Sequence, residues 1–192
     1  MYKIKIALLM TLGLIVISCN TKQKEEKIAT KINKEDTLRK YALQTKEVLG
    51  KNLMNAINKQ GTEKAIEFCS TRAIVLTDSM GTALNATIKR VSDQPRNPLN
   101  LANEDETAFI NELKEKISNS EKLTSKISEF SVKTVGYFPI ETNAMCLQCH
   151  GSTDLDIKPN VLKKIAQLYP KDQATGYKEN QIRGIFVVTQ NN

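Results

Sequence analysis

Apolar residues recur three and four positions apart from Asp36 onward: Leu38, Tyr41, Ala42, Val48, Leu49, Leu53, Ala56 and Ile57, with Thr45 in the same stripe. That period predicts an amphipathic helix with one face on a core. Gly61 suits its C-cap, and Thr62 suits the N-cap of a second helix running to about Met80. The second stripe is Ala65, Ile66, Cys69, Ala73, Leu76 and Met80, which puts Cys69 on the inward face, and Gly81 ends it. The pattern then changes. Residues 86–92 read as a short strand, and 93–100 as a loop with two prolines. Asn103 can cap a third helix, with Glu104, Asp105 and Glu106 in its first turn and Phe109, Leu113 and Ile117 as its core stripe. Residues 118–125 are polar and break that pattern. Residues 129–140 are rich in β-branched and aromatic side chains and predict one strand, with a bulge or bend at Gly136. Pro159 can open a fourth helix that Pro170 stops, and residues 184–189 (GIFVVT) predict a last, largely buried strand. Few strands, separated by helices and long loops without βαβ alternation, make the class α+β.

The N-terminus follows another logic. Lys3 and Lys5 precede an apolar run over 6–17, and Val16-Ile17-Ser18-Cys19 has the form apolar, any, small, Cys. The run is shorter than the roughly 20 residues of a spanning helix. It reads as a cleaved signal, residues 1–18, with Cys19 as the diacylglycerol-bearing residue of a bacterial lipoprotein. Residues 19–35 are polar and charge-mixed, a tether between the lipid and a domain over 36–192. Cleavage removes Lys3 and Lys5 and no acid, leaving 26 basic against 21 acidic residues, a net +5. That mild excess has no run of five like charges, and an exported chain has no nucleic acid to meet. The expected location is the bacterial cell envelope, lipid-anchored and facing the periplasm or the cell surface.

The chemistry concentrates in Cys146-Leu147-Gln148-Cys149-His150. C-x-x-C-H is the spacing of covalent c-type haem attachment: both thiols become thioethers, and the imidazole next to them reaches the iron. Haem c is therefore the expected cofactor, one per chain. Two rivals share the residue types. Cys69, Cys146, Cys149 and His150 could make a zinc site, although adjacent Cys149 and His150 converge poorly on one small ion. A redox dithiol usually opens a helix after a buried strand, and Ala144-Met145 give no clear sign of one.

His150 is the one histidine in the chain, so a sixth iron ligand must be another residue type or absent. Met54, Met80 and the leftover Cys69 are the candidates, and an inert core cysteine is the plain alternative for Cys69. Arg72, one turn beyond Cys69, could steady a thiolate or a haem propionate. Arg90 and Arg96 could pair with propionates, and Tyr137 could pack on the ring.

Read together, these stretches resemble a known family. Ala65-Ile66-Glu67-Phe68-Cys69, Arg90-Val91-Ser92 with Arg96-Asn97-Pro98-Leu99-Asn100, Tyr137-Phe138-Pro139-Ile140 before Cys146–Gly151, and Tyr169-Pro170-Lys171-Asp172 with Ala174-Thr175-Gly176-Tyr177 and Arg183-Gly184 are similar, in order, to the bacterial c-type-haem domain with a PAS-like fold, first catalogued as a domain of unknown function. It occurs as small exported cytochromes and as the sensory part of histidine kinases. The resemblance covers roughly residues 36–190. It implies a PAS-like antiparallel sheet with flanking helices, and His150 and Cys69 as the axial pair. One departure is Glu179-Asn180, where the family often has Gly-Asp.

The expectation is a membrane-anchored, non-enzymatic haem protein for low-potential electron transfer or for redox or small-ligand sensing. Its partners would be the membrane and a redox or signalling protein. The alternative is a haem-bearing module that docks on a receptor or respiratory complex without electron turnover.

Overall fold

The computed structural model describes the backbone from Ile15 to Asn192 and side chains from Asn33 on. Residues 1–14, most of the expected signal segment over 1–18, and the side chain of Cys19 lie outside the described residues. The chain forms two compact units, residues 1–37 and 38–192. In the first, the backbone is helical from Ile15, where composition predicts a shapeless tether. The reason is propensity: residues 20–37 hold no Gly or Pro and are rich in Lys and Glu, both good helix formers.

The helix assigned as α1 spans Ile15–Ala83 and contains a break at Gly61, where φ is 83° and ψ 167°. A glycine reaches that geometry freely, so the expected break between two helices is present, although the Thr62 hydroxyl bonds the Gln148 side chain rather than capping the second helix. The other elements are β1 (Thr87–Val91), a 3₁₀ turn (Pro98–Asn100), α2 (Glu104–Ser118), β2 (Lys126–Glu129), β3 (Lys133–Glu141), α3 (Ala144–His150), α4 (Pro159–Leu168) and β4 (Ile182–Asn191). Asn103 caps α2 in a full capping box with Glu106.

The strands form one antiparallel sheet in the order β1-β4-β3-β2. With helices beside it, this is the α+β, PAS-like arrangement the sequence implies. Side chains alternate between the faces. On one, Leu38 and Ala42 of α1 pack with Ile88, Phe138, Phe186 and Val188. On the other, Phe109, Ile110 and Leu113 of α2 pack with Val91, Val135, Ile185 and Val187. A third cluster joins Ile66 of α1 to Val161 and Ile165 of α4, with Ile157 and Tyr169, and Cys149 rests against it.

Two expectations need correcting. The single strand over 129–140 is a hairpin, β2 and β3. Its turn, Phe130-Ser131-Val132, carries none of the Gly, Asn or Pro that signal a turn. Gly136 lies in regular ladder pairing with Ile127 and Val188. Its missing side chain makes room for the Phe138 ring, which a Cβ would meet at 2.7 Å. The register irregularity comes later, at Ile140/Glu141. Opposite it, Gly184 has φ 156°, and a Cβ there would lie 2.2 Å from the Val91 carbonyl oxygen.

Gly184→Ala should therefore destabilise the domain by about 1–3 kcal/mol, from backbone strain alone. Gly50→Ala, in the interior of α1 with nothing within 4 Å, should stabilise it by roughly 0.5–1 kcal/mol. Denaturant midpoints of the two variants should move in opposite directions.

Candidate functional site

The C-x-x-C-H residues occupy α3, a seven-residue helix directly after β3. Asn143 caps it, its side chain accepting from the Cys146 amide at 3.3 Å. The strand-then-helix setting that the sequence failed to signal for a redox dithiol is thus present. The electrostatics oppose that reading: burial raises the Cys149 thiol to about 11, whereas reactive thiols are depressed. Among the described residues no three His, Cys, Asp or Glu side chains are grouped to hold a metal ion, so the four candidate zinc ligands do not converge.

The last two carbonyls of α3, which a helix leaves unpaired, and that of its C-cap Gly151 find donors from outside the helix. Arg96 Nη2 donates to the Cys149 oxygen at 2.6 Å, Tyr177 N to the His150 oxygen at 2.9 Å, and Gly176 N to the Gly151 oxygen at 2.8 Å. The segment 174–177 thus forms a cradle along the end of α3. Arg96 locks it in place. It is 8% exposed, makes a two-pronged ion pair with Asp172 at 3.1 Å on each arm, and also donates to the Ala174 oxygen at 3.1 Å.

His150 Nδ1 lies 2.7 Å from the Ala174 carbonyl. A carbonyl only accepts, so Nδ1 carries the proton and Nε2 keeps its lone pair. Burial first, then Arg183 and Arg96, hold the imidazole pKa well below its ordinary value, against the opposing pull of the Ala174 bond. The ring is therefore a neutral base with a fixed tautomer, the form that ligates a metal.

Cys69 is half-buried on the part of α1 beyond Gly61. That helix is tied to α3 and α4 by Thr62 to Gln148 at 3.0 Å, Asn160 to Glu63 at 2.9 Å and Lys164 to Glu67 at 2.8 Å. Cys69 and Cys149 feel each other electrostatically. Burial raises the Cys69 thiol, and Arg90 and Arg96 pull it back down. Tyr169 lies in the same pocket and is raised to about 12, chiefly by burial and then by Cys69.

The remaining candidates separate. Arg72 is exposed, and the cations acting on Cys69 are Arg90 and Arg96, so Arg72 is not its partner. Arg96 engages Asp172 and two carbonyls through Nε and Nη2, so a propionate would have to meet its Nη1. Tyr137 packs on Phe109 with centroids 5.9 Å apart, on the α2 face of the sheet. Ile88, of the same strand parity as Arg90, faces α1 instead, so Tyr137 and the Arg90–Cys69 group lie on opposite sides. Arg90 remains: it is half-buried, desolvation lowers its pKa, and its buried Nε has no hydrogen-bond partner.

Sequence reasoning gave no role to Arg183, Tyr177, Ala174 or Asp172, although all lie in the stretches that carry the family resemblance. Glu179-Asn180 resolves simply: Asn180 takes φ 60°, which asparagine tolerates nearly as glycine does. A cavity of about 470 Å³ lies beyond Tyr177, lined by Gln94, Lys114, Ile117 and Gln181 among others, and none of Cys69, Cys146, Cys149 or His150 lines it.

The donor set fits haem c. Two unpaired thiols adjoin an imidazole with a free Nε2, and an orphaned guanidinium beside Cys69 calls for an anion such as a thiolate or a propionate. Arg96→Leu should cost about 3–5 kcal/mol, because it strands Asp172 and two carbonyls in a buried place. Asp172→Asn, which keeps a hydrogen-bonding partner for the guanidinium, should cost less in the same denaturation measurement.

Comparison with known proteins places the fold and the family. The crystal structure of the cyanobacterial heme-protein Tll0287 matches with a TM-score of 0.57 at 18% identity, over 78% of this chain and 92% of that one. At that identity the likeness is one of fold. No curated protein matches in sequence. The family described as Tll0287-like matches residues 19–191, most of the chain, and the chain belongs to the Tll0287-like family.

Proposed function

We propose that this chain is an exported, lipid-anchored c-type haem protein that transfers electrons at low potential or reports redox state or a small ligand, without enzymatic turnover. The observation that carries the reading is the fixed imidazole of His150 beside two unpaired thiols: Nδ1 is held by Ala174, which leaves Nε2 free. Membership of a family whose solved relative is a heme-protein supports it.

Each residue then has a task. Cys146 and Cys149 would hold the group covalently, each S–H adding across one vinyl double bond. His150 Nε2 would take one axial position and Cys69 the other. Arg90 would steady the thiolate or a propionate. When bound, haem supplies a one-electron ferric/ferrous couple, and an anionic sulfur ligand favours the ferric state over that of a His/Met pair. With both axial positions filled by the protein, peroxidase-like turnover has no open site. Among the described residues no helix is long and apolar enough to cross a membrane. The membrane link is assigned to Cys19, which follows the apolar run over 6–17, and the partner to a redox or signalling protein of the envelope.

Protein made with a c-type maturation system should keep its haem through denaturation and acid–organic extraction. Extractable haem, or none, would sink the reading. The ferric spectrum should be six-coordinate with thiolate character and should change in Cys69→Ala; an unchanged spectrum takes Cys69 off the iron. Cells fed an alkyne palmitate should label the full-length chain but not Cys19→Ser, and label persisting in that variant would rule out the anchor.

A further inference from the structure

We propose that Arg183 is a positioning residue for the redox centre: its guanidinium, held behind His150, biases iron ligated by that histidine towards the ferrous state. The inference rests on the haem reading and deepens it.

Backbone register delivers the side chain. Ile140 pairs with Gly184 and Glu141 with Ile182, so Arg183 is the extra residue of a β-bulge. Bulges re-aim side chains. Here the guanidinium is turned to the end of α3, where Nη1 donates to Ser92 Oγ at 2.9 Å and to the Gln94 carbonyl at 3.2 Å. It lies over the Tyr177 ring, 5.4 Å from the centroid, rather than in line with the hydroxyl, which has no hydrogen-bond partner. Tyr177 is itself bonded to the His150 carbonyl and stands edge-on to the imidazole, with centroids 6.4 Å apart at 84°.

Arg183 Nε is 3.4 Å from His150 Nδ1. The proton on Nδ1 goes to Ala174, so no lone pair is left there for Arg183 to donate to. The contact is a charge against a ring. Ser92 and Gln94 are neutral, and the nearest acid acting on Arg183, Asp172, is already paired with Arg96. The positive charge is thus held in a partly dry site with no carboxylate of its own. Oxidising the iron adds a positive charge on the Nε2 side of the same ring. A fixed cation opposes that, more strongly than it would in water.

The test is potentiometric titration of the full chain with covalent haem, as wild type, R183Q and R183K, with optical spectra to confirm unchanged coordination. In R183Q the equilibrium constant for reduction should fall about tenfold, which is about 59 mV for a one-electron couple. R183K keeps the charge and should stay within twofold of wild type. An R183Q value within twofold of wild type overturns the proposal, and so does an R183K shift as large as that of R183Q. Should R183Q fail to fold, Ser92→Ala, which frees one arm of the guanidinium, should shift the potential the same way by less; no shift there overturns the proposal. Wild type without covalent haem overturns the haem reading and this inference together, whereas haem-loaded variants that do not shift overturn this inference alone.

Discussion

A helix of seven residues has too few internal hydrogen bonds to hold its own shape in water. In α3 the deficit is met from outside, and the contact that does most of it is the guanidinium of Arg96. One buried side chain joins three segments: the loop after β1, where it originates; the Cys149 carbonyl at the end of α3; and the 172–174 stretch, through Asp172 and Ala174. The position of Ala174 then decides the tautomer of His150. A lysine could not substitute, since it has no planar fork to meet a carboxylate on two arms and carbonyls on the side. The chemistry of the site thus depends on a residue that touches neither thiol nor imidazole.

Charge accounting gives the same region a second character. Arg183, Arg96 and Arg90 all bear on His150. Among the described residues the carboxylate that answers these three guanidiniums is Asp172, in its pair with Arg96. That leaves two half-buried cations without carboxylates of their own, and one of them, Arg90, also has an orphaned donor. Burying uncompensated charge is costly, so a fold that does it persists only with a compensating partner. A thiolate at Cys69 and carboxylates on a bound prosthetic group are partners of the right sign.

Much of this was legible beforehand, for reasons that differ residue by residue. The stripe from Leu38 to Ile57, the break at Gly61 and the cap at Asn103 are local signals, and local signals survive folding, whereas the Thr62 hydroxyl, expected as an N-cap, turns to Gln148 instead. The attachment motif is read from spacing alone. The inward position of Cys69 follows from its helical register, although only the resemblance made it an axial ligand. What escaped is non-local. Arg183 reaches His150 because a bulge forms where β3 and β4 lose register, and nothing in Ile182-Arg183-Gly184 announces a partner stretch forty residues earlier. Arg96 suggests a propionate partner in the sequence because its acid, Asp172, is far along the chain. Arg72 misled for the opposite reason: helical spacing put it beside Cys69, but the wet side of the same helix claims it. Tyr137 was a near neighbour of the motif in sequence, and strand alternation sent it to the other face of the sheet.

The two axial candidates are not equally supported. His150 is held through its ring nitrogen, its carbonyl and the carbonyl before it, by donors and acceptors on a cradle that Arg96 locks. Those bonds are buried or half-buried, where a hydrogen bond counts most. Cys69 stands on a helix that begins at the Gly61 break and is tied to α3 and α4 mainly by polar contacts among Thr62, Glu63, Glu67 and their partners. Contacts of that kind at a surface contribute little, commonly below about 1 kcal/mol each. Its apolar hold is Ile66 in the cluster with α4, one turn before Cys69. The histidine side is thus built as a fixed reference, and the sulfur side as the more compliant of the pair.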